Sequence, residues 1–227
     1  MPLINVPSPN HDARPPGGGI DVLVFHYTDM ESSEAALKRL CDSDSKVSAH
    51  YLIGSDGRVF QLVAESRRAW HAGQAFWCGQ ADINDRSIGI ELDNPGEGAG
   101  KAPFPALQMA ALAILCNEIL RRYPIPARNV VGHSDIAPRR KQDPGILFDW
   151  QGLARKGIGI WPCTLRAEPP DEAKASDRLE AIGYEIVDPR ASLVAFQRHF
   201  RAHRPDGILD AETMGLLTAV LACCEGS

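Results

Sequence analysis

The chain has 227 residues, 44% of them hydrophobic and 23% charged, a balance that supports a packed globular fold and excludes a disordered chain. With 24 Lys and Arg against 29 Asp and Glu, the net charge is -5, and no dense basic run is present to follow a phosphate backbone, which argues against nucleic acid as a partner. The longest apolar stretch, near residues 106–116, is too short to span a bilayer, so no membrane span is expected.

Residues 1–19 hold neither a basic start nor a sustained apolar segment, so a cytoplasmic location is expected, with a periplasmic one requiring an export signal already removed. Cys41, Cys78, Cys116, Cys163, Cys223 and Cys224 show no C-x-x-C spacing and are expected as buried reduced thiols. The β-prone run Ile20 to Phe25 follows Gly17-Gly18-Gly19 and reads as a buried strand ending at His26. Ser32 and Ser33 are candidate caps for a helix carrying Ala35, Ala36, Leu37 and Leu40. Residues 49–53 and 58–63 flank Ser55-Asp56-Gly57, the pattern of a hairpin. Residues 64–86 lack periodicity, and their Arg67, Arg68, Trp70, His71, Trp77 and Asn84 suit a surface groove.

Ser87 to Leu92 reads as another strand, and Pro105 opens a helix whose apolar face uses Leu107, Ala111, Ile114, Leu115 and Ile119 before Pro124 stops it. Asn129 to Gly132 forms a short strand leading into His133. The alternation predicts an α/β domain over residues 1–162, with a central mixed sheet flanked by helices. A polar, Pro-containing linker is expected over 163–175, and a small three-helix unit over 176–227, with helices beginning near Asp177 and covering 191–203 and 211–221.

His26, Glu91 and His133 each close an apolar run, at the strand ends where α/β folds place sites. Asp143 follows ten residues after His133 in a loop that also holds Lys141. Two imidazoles and one carboxylate would give Zn²⁺ three ligands and leave a fourth position open, as in a catalytic site. The spacing is no local metal motif, however, and histidines at strand ends also serve as hydrogen-bonded core groups. Lys141 stands beside Arg139 and Arg140, where solvation is the ordinary role, and Asp135 competes with Asp143 as a ligand.

A series of short blocks occurs in order: His26-Tyr27-Thr28, Ser48 to Ile53, Arg68 to Gly73, Asn84-Asp85, Ser87 to Leu92, Gly132 to Pro138, Lys141 and Asp143-Pro144-Gly145. Over residues 20–162 the chain resembles the type 2 N-acetylmuramoyl-L-alanine amidases, the AmpD/AmiD group, relatives of phage amidases and peptidoglycan recognition proteins. The resemblance implies that His26, His133 and Asp143 bind zinc, that Glu91 is the acid/base, and that Lys141 stands near the scissile carbonyl. The implied reaction is hydrolysis of the amide between the lactyl group of N-acetylmuramic acid or its anhydro form and L-alanine of the stem peptide. Peptidoglycan fragments or cell wall are then the partners, and a monomer is expected.

Trp70, His71 and Asn84 are candidate substrate contacts, Trp77 a candidate stacking surface, and His50 a structural residue. Relatives among the phage amidases carry a Tyr where Ala49 stands, which leaves its task to Glu91, and Asp82 replaces a basic residue of the cytoplasmic recycling members. The C-terminal unit resembles a three-helix peptidoglycan-binding domain over about residues 176–222, with a bundle that only packs on the catalytic domain as its rival. Two other readings stay open: a non-catalytic recognition module, and a structural zinc closed by Cys163.

Overall fold

The computed structural model describes residues 2–98 and 102–225. Its strands are β1 (Leu3–Asn5), β2 (His11–Ala13), β3 (Val22–Tyr27), β4 (Tyr51–Ile53), β5 (Val59–Gln61), β6 (Arg67–Ala69), β7 (Phe76–Trp77), β8 (Gln80–Ala81), β9 (Ser87–Leu92) and β10 (Val130–Gly132). The helices are α1 (Ser33–Leu40), α2 (Ala106–Arg122), α3 (His133–Ile136), α4 (Trp150–Ala154), α5 (Glu172–Ile182), α6 (Pro189–Phe200) and α7 (Ala211–Glu225). Six strands form one mixed sheet in the order β1-β5-β4-β9-β3-β10, parallel at every pairing except the β4–β5 hairpin.

Side-chain alternation along β3 and β9 divides the sheet into two faces. Leu23 and Phe25, with Ile88, Ile90 and Leu92, pack under α2 and α4. Val22 and Val24 face the other way, with Val131 and Ile83, and by the same period His26, Ser87, Gly89 and Glu91 share that second face. Part of it is covered by α1, through Ala36 and Leu40 against Leu52, Phe60 and Leu62. Ser32 caps that helix as expected, accepting from the Ala35 amide at 3.2 Å.

The register of α2 differs from expectation. Its buried face is Gln108, Ala111, Leu112, Leu115, Cys116 and Ile119, while Leu107 and Ile114 are 67% and 50% exposed. The cause is Gln108, whose amide donates to the Ile53 carbonyl at 2.9 Å and the Asp93 carbonyl at 3.0 Å, beside the ends of β4 and β9. A polar residue thus sets the phase, because unpaired carbonyls beneath a helix cost more than an exposed Leu.

The C-terminal helices also differ in their bounds. Asp171 accepts from the Lys174 amide, so α5 starts several residues before Asp177, inside the expected linker. Asp188 caps α6, which ends at Phe200 rather than His203. One continuous apolar cluster joins Leu179, Ile182, Tyr184, Phe196, Leu217 and Val220 to Val22, Val24, Trp77 and Ile136 of the preceding α/β part. With about 1.5–3 kcal/mol from each fully buried side chain, this unit is cemented to the sheet rather than tethered to it.

The first residues contribute two strands for which the sequence carries no period. The outermost, β1, pairs parallel with β5, and β2 pairs antiparallel with β6. The segment is then pinned by Arg14, which donates to the carbonyls of Glu65 (2.9 Å), Asn84 (3.2 Å), Asp85 (2.8 Å) and Ser87 (2.8 Å). None of the six cysteines is joined in a disulfide, but only Cys116 and Cys224 are buried, and Cys163 is exposed. Among the described residues, no helix is long and apolar enough to cross a membrane.

Candidate active site and metal centre

Parallel pairing brings the three strand ends to one edge. His26 is in register with Glu91, and Gly132 with Phe25, so His133 emerges beside His26. The loop after α3 returns Asp143 to the same point, tied by the Ser134 amide donating to the Asp143 carbonyl at 2.8 Å. Gly132 permits this return: a Cβ there would lie 2.6 Å from the Pro144 ring.

The resulting cluster is tight. His26 Nδ1, His133 Nδ1 and Asp143 Oδ2 stand 2.9–3.0 Å from one another, all three residues being buried. His133 Nε2 lies 3.0 Å from the Ala72 carbonyl, which can only accept, so Nε2 carries a proton and Nδ1 is the nitrogen turned toward the cluster. A tetrahedral face with zinc ligands at about 2.0–2.1 Å has edges of about 3.3 Å, so opening each contact by a few tenths of an ångström suits a cation. Burial, then the neighbouring His133, pulls His26 down to about 4, leaving it neutral at ordinary pH. Burial pushes Asp143 upward, but its contacts with His133 and His26 outweigh burial and hold its carboxyl below the usual carboxylate range. Two imidazoles and a carboxylate in a water-poor site form the donor set that Zn²⁺ takes.

Behind His26 stands a row of imidazoles. His71 Nδ1 is 3.0 Å from His26 Nε2, and His71 Nε2 is 3.0 Å from Ser87 Oγ. With protons on His26 Nε2 and His71 Nε2, every contact in the row is satisfied and His26 Nδ1 is left bare. The His71 ring lies over Gly89, where a Cβ would fall 2.4–2.7 Å from three ring atoms. Next in the row, His50 Nδ1 accepts from the Gly89 amide at 3.0 Å. Burial and the adjacent Arg14 guanidinium lower His50 to about 3. His50 is structural, as expected.

Glu91 keeps some surface as a residue, yet its Oε2 is shut off from solvent and has no hydrogen-bond partner. Burial and the charge of Asp143 raise its carboxyl well above the usual carboxylate range, and Lys141 opposes the shift. Lys141 is exposed in a cleft of about 600 Å³ that is also lined by Arg39, Arg140, Trp70 and the buried His26, His133 and Asp143.

The remaining candidates are distributed differently. Trp70 is half-buried in the cleft wall, its indole N–H donating to Asp12 Oδ2 at 2.6 Å. His71 also borders the cleft, but both ring nitrogens are engaged by His26 and Ser87. Asn84 is buried, and its Oδ1 accepts from the His71 and Ala72 amides at 3.0 and 2.8 Å, so it shapes the loop behind the cluster. Trp77 is a core residue, 2% exposed, with its N–H on Asn129. Asp135 lies outside the cluster, its oxygens accepting from Tyr184, His199 and the Gly132 amide. Nor does Cys163 join the cluster: the group among the described residues that could hold a metal ion comprises His26, His133 and Asp143. Sequence reasoning overlooked Ser87 and Gly89 as the seat of His71; two small residues alternating ahead of Glu91 were the available signal.

Residues 16–146 match the N-acetylmuramoyl-L-alanine amidase family (Amidase_2). The chain belongs to that family. The amidase is 42% identical to N-acetylmuramoyl-L-alanine amidase AmiD of Escherichia coli K12, over 89% of this chain and 82% of AmiD. It is 39% identical to 1,6-anhydro-N-acetylmuramyl-L-alanine amidase AmpD of Enterobacter cloacae, over 64% of this chain and 85% of AmpD. The solved structure of E. coli AmiD in complex with anhydro-N-acetylmuramic acid-L-Ala-D-gamma-Glu-L-Lys superimposes with a TM-score of 0.82 at 41% identity, covering 93% of this chain and 91% of that one. Similarity to AmiD thus reaches into the C-terminal helices of the amidase, whereas the match to AmpD covers a smaller share.

Proposed function

We propose that the amidase is zinc-dependent and hydrolyses the amide between the lactyl group of N-acetylmuramic acid, or its 1,6-anhydro form, and L-alanine of the stem peptide. The observation that carries this reading is the convergence of three metal donors beside a buried, unpartnered carboxyl at the base of an open cleft. The substrate assignment draws on AmiD, whose structure holds an anhydro-muramyl tripeptide, and on AmpD, named for the anhydro bond.

His26 Nδ1, His133 Nδ1 and Asp143 Oδ2 would hold the ion. Bound there, Zn²⁺ supplies Lewis acidity for the amide carbonyl and lowers the pKa of the attacking water. His71 and the Ala72 carbonyl keep the two ligand imidazoles in the tautomer that presents Nδ1. Glu91 takes a proton from the attacking water at Oε2 and delivers it to the departing alanine nitrogen, and the burial that raises its carboxyl strengthens it as the base of the first half. Lys141, at the cleft rim, offers its ammonium to the negative charge that develops on the carbonyl oxygen. Trp70 supplies an aromatic wall for substrate.

A recognition module without catalysis would have no use for a carboxyl desolvated beside a metal-ligand set. The test is to incubate an anhydro-muramyl tripeptide with the protein as isolated, after chelation, and after zinc is restored, following released tripeptide by mass spectrometry. Release should vanish on chelation and return with zinc. Equal release in all three samples removes the metal from the mechanism, and no release in any of them removes the amidase reading.

A further inference from the structure

The loop that presents His133, Lys141 and Asp143 is gripped by the C-terminal unit at several points. Asp135, buried beneath it, accepts from Tyr184 Oη at 2.7 Å and pairs with His199 Nδ1 at 2.8 Å. The same carboxylate accepts from the Gly132 amide at 2.7 Å, fixing the turn from β10 into His133. Further along, Arg139 pairs with Glu185 at 3.0 Å. At the loop's far end, the Ile146 amide donates to Glu97 Oε1 at 2.8 Å, and that carboxylate is held by Arg198 at 2.5 Å. The His199 ring also stacks on Trp150, with centroids 3.7 Å apart and planes at 18°.

We propose that α6 and its preceding turn are a positioning element of the metal site, so that the C-terminal unit governs metal retention and turnover even on soluble fragments too small to reach a separate glycan-binding surface. Asp135 holds the exit from β10, Glu97 holds the return after Asp143, and residues of the C-terminal unit hold both carboxylates. The three donor atoms need placement within tenths of an ångström, and the two loop-borne ones depend on a segment whose outer supports belong to α6 and the turn before it. A unit that served only to grip cell wall would need none of these polar bonds to the loop.

The metal and turnover readouts rest on the function proposed above; amide exchange does not. The full-length double variant Tyr184→Phe/His199→Phe keeps both rings for packing but removes both donors to Asp135. Its expected behaviour is zinc affinity weakened about tenfold or more by chelator competition. On a soluble anhydro-muramyl tripeptide, kcat should fall with KM little changed, and in metal-free protein the Gly132 and Ile146 amides should exchange faster. Arg198→Met should act in the same direction and Arg198→Lys should restore part of the loss. Leu217→Ala, in the core of the same unit, should lower the melting temperature without these changes at a temperature where it is folded. Wild-type zinc affinity, kcat and exchange in the double variant overturn the proposal, as does a Leu217→Ala variant that loses zinc equally. Should wild-type protein neither hold zinc nor cleave the tripeptide, the amidase reading fails by itself, and the two amides still judge the clamp.

Discussion

Gly89→Ala adds one methyl group at the most crowded point behind the site. The new Cβ would sit 2.4–2.7 Å from His71 Cγ, Nδ1 and Cδ2, against an ordinary carbon contact of about 3.5–4.0 Å. The ring must therefore retreat by about 1 Å. It has no soft way to do so, because Nδ1 and Nε2 are held at 3.0 Å by His26 and Ser87. Overpacking costs about 1–3 kcal/mol, and the strained or broken hydrogen bonds add about 1 kcal/mol. A loss of about 2–4 kcal/mol lowers the melting temperature of a chain this long by about 4–16 °C. Losing the partner that orients His26 also weakens zinc by about 10–100-fold.

Thermal unfolding in chelator measures the first effect, and competition with a chromophoric chelator measures the second. Adding His71→Ala empties the space the methyl needs, so the double variant should recover stability relative to the sum of the single ones while zinc affinity stays low. Unchanged stability and zinc affinity in Gly89→Ala, or strict additivity with His71→Ala, refutes the role assigned to this contact.

Glu91→Gln should cut kcat by about 10²–10⁴-fold while zinc binding persists, measured by turnover and metal content. The folded-state carboxyl of Glu91 is raised above its ordinary value of 4.5, so ionisation burdens the folded protein. In metal-free denaturant titrations, stability should therefore be full below that value, and wild type should lose ground to Glu91→Gln as pH climbs through the raised one; a difference that shrinks with pH contradicts the burial. Asp143→Ala should abolish zinc retention on dialysis, whereas Asp135→Asn should retain measurable though weakened binding, both read by metal analysis. Arg14→Met orphans several carbonyls at once and should destabilise the fold by about 2–4 kcal/mol in chemical denaturation.

Much of the catalytic half was legible before any coordinates. The apolar runs ending at His26 and Glu91, and the short one before His133, mark strands whose polar ends project from a buried sheet, and the ordered blocks named the same residues with Asp143 and Lys141. The N-terminal strands were not legible because three-residue segments with exposed side chains carry no measurable period. The phase of α2 was misjudged because Gln108 is buried by its bonds to two carbonyls, a reason invisible to hydrophobic patterning.

Sequence alone determined which chemistries were available and where the regular elements run, since both depend on residue type and local spacing. Tertiary structure decided which donors meet. Parallel register aligned His26 with Glu91, loop closure brought Asp143 rather than Asp135 to the two imidazoles, and a gap above Ser87 and Gly89 seats His71, at the cleft border, against His26. It also made the C-terminal helices one body with the site, through a shared core and bonds to the loop. These are contacts between residues tens to more than a hundred positions apart, and no local pattern encodes the distance between two side chains that only chain closure brings together.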